Sequence, residues 1–251
     1  MKRLPVFLFG LASYAVFFVV FLYGIGFIGN FWVPKSMDSP REVSLTTALL
    51  VNLGLLGLFA VQHSVMARPW FKRWWTRIVP ESAERSTYVL FSSLCLAVLF
   101  WYWQPMGGVI WDIESPAGIN AMYIVYGAGW LLLLYTTFLI NHFDLFGLRQ
   151  GWLHLRGKPY TSVPFRSPWL YRQVRHPLYV GWLMIFWATP IMTVAHLLFA
   201  IMTTAYILVG IQFEEHDLMN AHPEYRDYRR TVPMLIPFSK RARPVSGKVA
   251  G

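Results

Sequence analysis

Charge is scarce in this 251-residue chain: Asp and Glu number 12, and charged residues make up 14%, against about 25% in a typical soluble domain. So little charge beside 56% hydrophobic and 18% aromatic residues excludes an ordinary water-soluble globule. Lipid is the solvent this composition requires. Cysteine is nearly absent. The single Cys95, inside an apolar run, excludes a disulfide framework and a Cys-based zinc site, and reads as a small buried hydrophobe. There is no internal repeat, and the one polar, disorder-like stretch begins at Lys240.

The formal charge of +10 would suit nucleic acid only if it formed a basic patch on a solvated domain. Instead the basic residues fall between apolar stretches, so no nucleic-acid partner is expected. Lys2 and Arg3 precede a long apolar run with no clear small-residue cleavage site, which predicts a retained helix and not a removed signal peptide.

Crossing the hydrocarbon takes roughly 20 apolar residues in a helix. Four stretches qualify: 4–28, 45–66, 88–103 and 121–143. A fifth apolar region, 178–213, is interrupted at Pro190 and at Thr193 to His196, which predicts a helical hairpin with a very tight turn. The expected fold is an all-α integral membrane protein. It has four long transmembrane helices in 1–143, then a loop, the hairpin and a capping segment in 144–251.

Of 22 basic residues, all but Lys35 and Arg41 lie in the N-terminus, the 67–87 and 144–177 loops and the tail. Short cytoplasmic loops collect Lys and Arg, so both termini and these two loops are expected in the cytoplasm. Trp70, Trp74 and Trp75 interleave with Arg68, Lys72 and Arg73, as suits a segment at headgroup depth.

Ionisable groups at membrane depth are costly and mark functional candidates. One cluster closes the fourth span: Asn141, His142 and Asp144, then Arg149 and Gln150. The other runs from Arg175, His176 and Pro177 through Tyr179 and Gly181, and resumes after the hairpin with Glu214, Glu215 and His216. Pro177 suits a first helical turn, where unsatisfied amides beside Arg175 and His176 attract an anion. Gly181 allows close approach. With Glu214 and Glu215 at the other foot of the hairpin, a ligand would meet cationic and anionic groups at opposite ends, as a zwitterion does. Tyr225, Tyr228 and the short apolar segment 232–237 can cap such a pocket. His63 and Asn52, inside the second span, read as groups bonding helix to helix, and His196 as a turn residue. His216 beside Glu214, Glu215 and Asp217 lacks the spacing of metal ligands on one helical face, so no metal is expected.

Arg175-His176-Pro177-x-Tyr179-x-Gly181, the hairpin, Glu214-Glu215, Tyr225-x-x-Tyr228 and Val232-Pro233-x-x-Ile236-Pro237 occur in the order that marks the isoprenylcysteine carboxyl methyltransferase superfamily, which the chain resembles over roughly 175–238. The resemblance implies S-adenosyl-L-methionine bound between hairpin and C-terminal segment, by Arg175, His176, Pro177, Tyr179, Gly181, Glu214, Glu215, Tyr225, Tyr228 and Pro233. Residues 141–150 resemble the NnrU-like branch, which includes bacterial methyltransferases of methanethiol. That implies a small volatile thiol as substrate, methanethiol going to dimethyl sulfide, in a bacterial inner membrane.

Methyl transfer from a sulfonium to sulfur needs the thiolate, and positioning and desolvation by the protein. His142 is the candidate base with Asp144 orienting it. Arg149 would hold the thiolate, and Asn141 and Gln150 would complete a polar wall. Beside this stand blander readings, His142 as a cap of the fourth span and Asp144 with Arg149 as an interfacial ion pair. Other acceptors, including a prenylcysteine carboxylate, stay open. So do a nicotinamide-dependent membrane reductase, which the wider superfamily also resembles, and a non-enzymatic accessory protein. Polar groups clustered on one side disfavour transport.

Overall fold

The computed structural model describes residues 3–161 and 168–239. The readings made for Lys2, for Arg166 and for the stretch from Lys240 lie outside them. In lipid a backbone without water satisfies its polar groups within helices, and among the described residues five helices are long and apolar enough to cross a bilayer. They are α1 (Arg3–Gly29), α2 (Leu45–Ala67), α4 (Glu81–Tyr102), α5 (Pro116–Ile140) and α9 (Val194–Ala221). Shorter helices lie between and after them: α3 (Pro69–Trp75), α6 (His142–Leu145), α7 (Leu148–Leu155), α8 (Pro177–Trp187) and α10 (Tyr225–Thr231). The chain is an all-α integral membrane protein. Its strands β1 (Val109–Asp112) and β2 (Ile191–Thr193) form one short antiparallel ladder.

Local chemistry sets the helix ends. Ser44 and Ser115 cap α2 and α5 by accepting from the amides of Thr47 and Gly118, and Pro69, Pro116 and Pro177 occupy the first helical turn, where a missing donor costs nothing. The third span begins at Glu81 and not at 88. Glu81 and Glu84 fall in its first turn, where the helix dipole favours acids, so charge that reads as loop is helix. The fourth span covers 116–140, because Ser115-Pro116 starts it early and the chain turns at Asn141 into α6.

The hairpin is unequal. α8 has 11 residues and α9 has 28, so α8 is about 16 Å long, half of a hydrocarbon core of about 30 Å. Its partner arm spans. The connection is no tight turn at 193–196. Pro190 disfavours helix before it, residues 191–193 pair with β1, and α9 starts at Val194 with Thr193 as its cap. His196 is therefore helical and fully buried. Its Nε2 lies 3.1 Å from the Phe186 carbonyl and its Nδ1 3.5 Å from Asp38. Asn52 behaves as a helix clasp, exchanging bonds of 2.7 and 2.8 Å with the backbone of Gln104.

α1 and α2 pack against α4, α5 lies along α8, and α9 touches both α2 and α8. Phe27, Phe100, Trp103, Ile185, Phe199 and Ile211 fill the centre. Val19, Ile124, Leu131 and Val209 face outward, as a lipid-solvated surface allows. The α5–α8 crossing is a glycine contact. A Cβ on Gly181 would stand 3.0 Å from the Gly129 carbonyl, and one on Gly129 would stand 2.9 Å from the Gly181 carbonyl. Small residues let helix backbones approach in this way.

Gly129→Ala should therefore cost about 1–3 kcal/mol through overpacking and lower the thermal midpoint in detergent. Gly127→Ala, whose Cβ meets nothing within 4 Å, should leave it unchanged. Equal midpoints for the two variants would disprove the crossing.

Candidate active site

Both polar clusters lie at one end of the bundle, which also carries Arg68, Lys72, Arg73 and Arg85. Pro177 starts α8 with His176 as the flanking residue, which leaves the two preceding amides outside the helix. They donate to the C-terminal segment, Arg175 to the Pro233 carbonyl (2.8 Å) and His176 to the Met234 carbonyl (3.2 Å). The apolar Met234 and Leu235 beside them pack on the core. Segment 232–237 is thereby laid across the mouth of α8.

Arg175 ties four pieces of chain together. Its Nε donates to Glu215 Oε1 at 2.7 Å, and its Nη1 donates to the carbonyls of Arg229 and Val232. The same Oε1 lies 3.0 Å from His176 Nε2 and 3.5 Å from the Tyr225 hydroxyl, while Arg229 Nε stands 2.8 Å from Oε2. The side chains of Arg175 and Glu215 are only 4% and 2% exposed. Arg175, His176 and Glu215 thus meet directly and are not held at opposite ends of a ligand. Two buried charges cost less in contact than apart. Two charges stay half exposed at the edge of this knot, Glu214 at 44% and Arg229 at 42%. Glu214 accepts from the Tyr179 hydroxyl at 2.9 Å, and Tyr228 donates to the Tyr171 carbonyl. Gly181 faces α5, so its missing side chain makes room for a helix.

The other cluster divides. Asn141 caps α6 by accepting from the Asp144 amide. Asp144 takes a 2.8 Å bond from Arg149 and one of 3.2 Å from the Tyr160 hydroxyl. Arg149 also grips Thr161 twice at 2.8 Å. Asp144 therefore orients Arg149 and not His142. The His142 ring is buried, stacked on Phe138 at 4.3 Å and walled by Phe143 and Phe146. Its nitrogens lie 2.8 Å from the hydroxyls of Thr137 and Tyr14. Thr137 gives its own proton to the Leu134 carbonyl, so it accepts from Nδ1–H, and the Nε2 lone pair accepts from Tyr14. The lone pair that a base would use is occupied. The cap of the span is Asn141, whose amide donates to the Thr137 carbonyl, and His142 ties the start of α6 to α1 and α5 through the two hydroxyls.

Asn141, Asp144 and Gln150 line a cavity of about 700 Å³ with Lys72, Glu84, Arg85 and His154; His142 and Arg149 do not. Gln150 Oε1 and His154 Nε2 are buried in its wall with no partner among the described residues. Sequence reasoning missed Arg229, Arg85 and His154. The signal for Arg229 was its place on α10 one turn after Tyr225, toward α9. The others carried none, because their proximity depends on how α4 and α7 pack.

Two relatives decide the family, and a third is more distant. The chain is 56% identical over 239 residues to the methanethiol S-methyltransferase of Crocosphaera subtropica, covering 95% of this chain and 94% of that one. It is 55% identical over 242 residues to the protein of the same name from Mycobacterium tuberculosis, covering 96% and 99%. Identity to Nurim of Bos taurus is 30% over 186 residues, 71% of each chain. The chain belongs to the methanethiol S-methyltransferase family. No family model and no solved structure matches it. A methanethiol S-methyltransferase needs a methyl donor, and the half-exposed Glu214 and Arg229 beside a rigid knot are groups that could hold a polar one.

Two outcomes follow from this geometry. Glu215→Ala strands the buried Arg175 guanidinium and should cost about 3–5 kcal/mol, seen as a large fall in the thermal midpoint; a midpoint unchanged would mean the knot carries no load. Burial holds His142 below its ordinary pKa, so the folded ring stays neutral where the unfolded one takes a proton, near pH 6.5 and below. The unfolded chain then binds more protons, and stability present above that pH is lost as pH falls. The midpoint should drop between pH 8 and pH 5 more steeply in the wild type than in His142→Gln, and parallel slopes would contradict it.

Proposed function

We propose that the chain methylates methanethiol to dimethyl sulfide, with S-adenosyl-L-methionine as donor, at the basic end of its helix bundle. The observation that carries this reading is identity above 50% along nearly the whole length of proteins named for that reaction. The donor is supported by the order of motifs between residues 175 and 237 and by the charges beside the knot. Glu214 offers a carboxylate and Arg229 a guanidinium, which suits an amino-acid zwitterion.

When bound, S-adenosyl-L-methionine supplies a methyl group already activated on a sulfonium. The protein's part is then to bind, orient and exclude water. Arg175, His176, Glu215, Tyr225, Pro177 and Pro233 build the frame; Tyr179, Glu214 and Tyr228 would hold the donor against it. Asn141, Asp144 and Gln150 form a polar wall on the side of α6 and α7, with Arg149 holding Asp144 in place from behind it. Taking thiolate and sulfonium out of water strengthens their attraction. The distribution of Lys and Arg supports this end, with both termini, facing the cytoplasm of a bacterial inner membrane. In this arrangement residues 1–143 anchor the chain and 144–251 hold the site.

Protein purified in detergent, given S-adenosyl-L-methionine and methanethiol, should release dimethyl sulfide into the headspace. Glu214→Gln should weaken donor binding in calorimetry about tenfold to a hundredfold, the loss of one charge-assisted hydrogen bond, with the thermal midpoint unchanged. Donor binding without dimethyl sulfide would refute methanethiol as acceptor. No donor binding would refute the donor.

A further inference from the structure

The cavity of about 700 Å³ lies where the spans end. Lys72 of α3 lines it, with the first turns of α4 from Glu81 to Arg85, the end of α5 at Ile140 and Asn141, and Gln150 and His154 of α7. Span ends mark the level at which helices leave the hydrocarbon, so this space is at headgroup depth. Exposed Trp70 and Trp74 on α3 suit the same level.

Its walls carry two kinds of unanswered group. On α3 and α4 they are cations. Arg85 donates Nε to the Leu145 carbonyl at 2.8 Å, but among the described residues its Nη groups and the Lys72 ammonium have no hydrogen-bond partner. Burial and the charge of Arg85 hold Lys72 below its ordinary pKa, as expected of a cation crowded by another. On α7 the groups are acceptors. Gln150 Oε1 and His154 Nε2, one turn apart, are buried with no partner among the described residues, although buried polar groups are almost always bonded. Gln150 Oε1 takes only a donor, and His154 Nε2 takes one when the ring proton is on Nδ1. A ligand here has to bring an anion to one wall and N–H or O–H donors to the other. The charges of the lining balance, Lys72, Arg85 and Lys158 against Glu81, Glu84 and Asp144, so a zwitterion fits better than a net anion.

Pro80 also lines a second space, an apolar groove of about 360 Å³ along the first turns of α1 and α4, past Val6, Phe9, Val79, Ala83 and Thr87. Its one hydroxyl, that of Thr87, is spent on the Ala83 carbonyl. A polar chamber that shares a wall residue with an apolar groove between spans has the shape of an amphiphile.

We propose that these two spaces bind one phosphatidylethanolamine molecule of the bilayer, its phosphate at Lys72 and Arg85, its ammonium at Gln150 and His154, and an acyl chain in the groove beside α1. Basic pockets between membrane helices take lipid headgroups in this way, and a primary ammonium carries the N–H donors that the α7 wall calls for. The headgroup fills the space between the polar wall of Asn141, Asp144 and Gln150 and α4, and the donor keeps its place at the knot. No lining residue of either space belongs to the Arg175–Glu215 pair, so lipid binding does not rest on methyl transfer.

Protein stripped of lipid in detergent should gain about 5–10 °C in thermal midpoint from phosphatidylethanolamine at about a hundredfold its Kd, and native mass spectrometry should show one molecule retained per chain. Phosphatidylcholine, whose quaternary ammonium donates no hydrogen bond, and phosphatidylglycerol, which brings no cation, should each give a smaller rise at the same concentration. Glycerophosphoethanolamine, the headgroup without chains, should give none. Lys72→Met should weaken retention by about tenfold or more, one charge-assisted bond lost, whereas Arg77→Met, at an exposed cation outside the cavity lining, should leave it unchanged. An equal or larger rise with either other lipid, a rise from the chainless headgroup, or equal retention in the two variants overturns the proposal. If Lys72→Met does not fold, Val79→Trp blocks the groove instead, and undiminished retention in it is decisive against the site.

Discussion

One buried carboxylate organises the functional end of this protein. Glu215 sits near the end of a long apolar helix with almost no exposure, a position no carboxylate holds without partners. Arg175, His176 and Arg229 supply them. Two lie just before α8 and one on α10, so satisfying this one charge fixes the start of α8, the end of α9 and α10 relative to one another. The 232–237 segment follows, because Arg175 also donates to the Val232 carbonyl at its start. A hairpin of apolar helices has no directional interaction of its own in lipid. The ion knot gives it one.

The same economy separates residues that frame a site from residues that can act in it. A group whose every donor and acceptor is answered inside the protein is a strut, however reactive its type. Arg175 and His142 meet that description, one through charge and the other through two hydroxyls. Glu214 does not, since it remains half open beside a single tyrosine. Adjacent residues on α9 thus divide the labour, the inward carboxylate holding the architecture and the outward one left half exposed.

Much of the fold was legible because lipid leaves few choices. Apolar runs of bilayer length have to be helices, and the scarcity of charge marked them. What failed were the ends, where Glu81 and Glu84 read as loop though the helix dipole welcomes acids in a first turn, and where Pro190 was taken for a hinge in a tight turn although its flanks form a strand. The site was legible as a set of residues and not as a set of partners. Arg175, His176 and Glu215 come together as their order suggests, yet as a closed knot. Asp144 pairs with Arg149 and not with His142, because sequence proximity in a turn-rich segment says nothing about which way each side chain leaves it. His63 is the clasp between helices that its place in the second span suggests, meeting Ser92 and Tyr88 of α4, though nothing in a single apolar run reveals which hydroxyls another helix will bring.

The unequal hairpin explains why the charged end and the apolar interior meet where they do. A full-length α8 would carry its far end across the whole hydrocarbon. At about half that length, and pinned to α5 through Gly129 and Gly181, it can stop inside the bundle, with its far end closed by the β1–β2 ladder. A polar donor has to come from water and an apolar thiol can come through lipid. A short helix, begun at the basic end and stopped partway, leaves the polar knot and the apolar interior next to each other while the backbone stays within helices and the ladder.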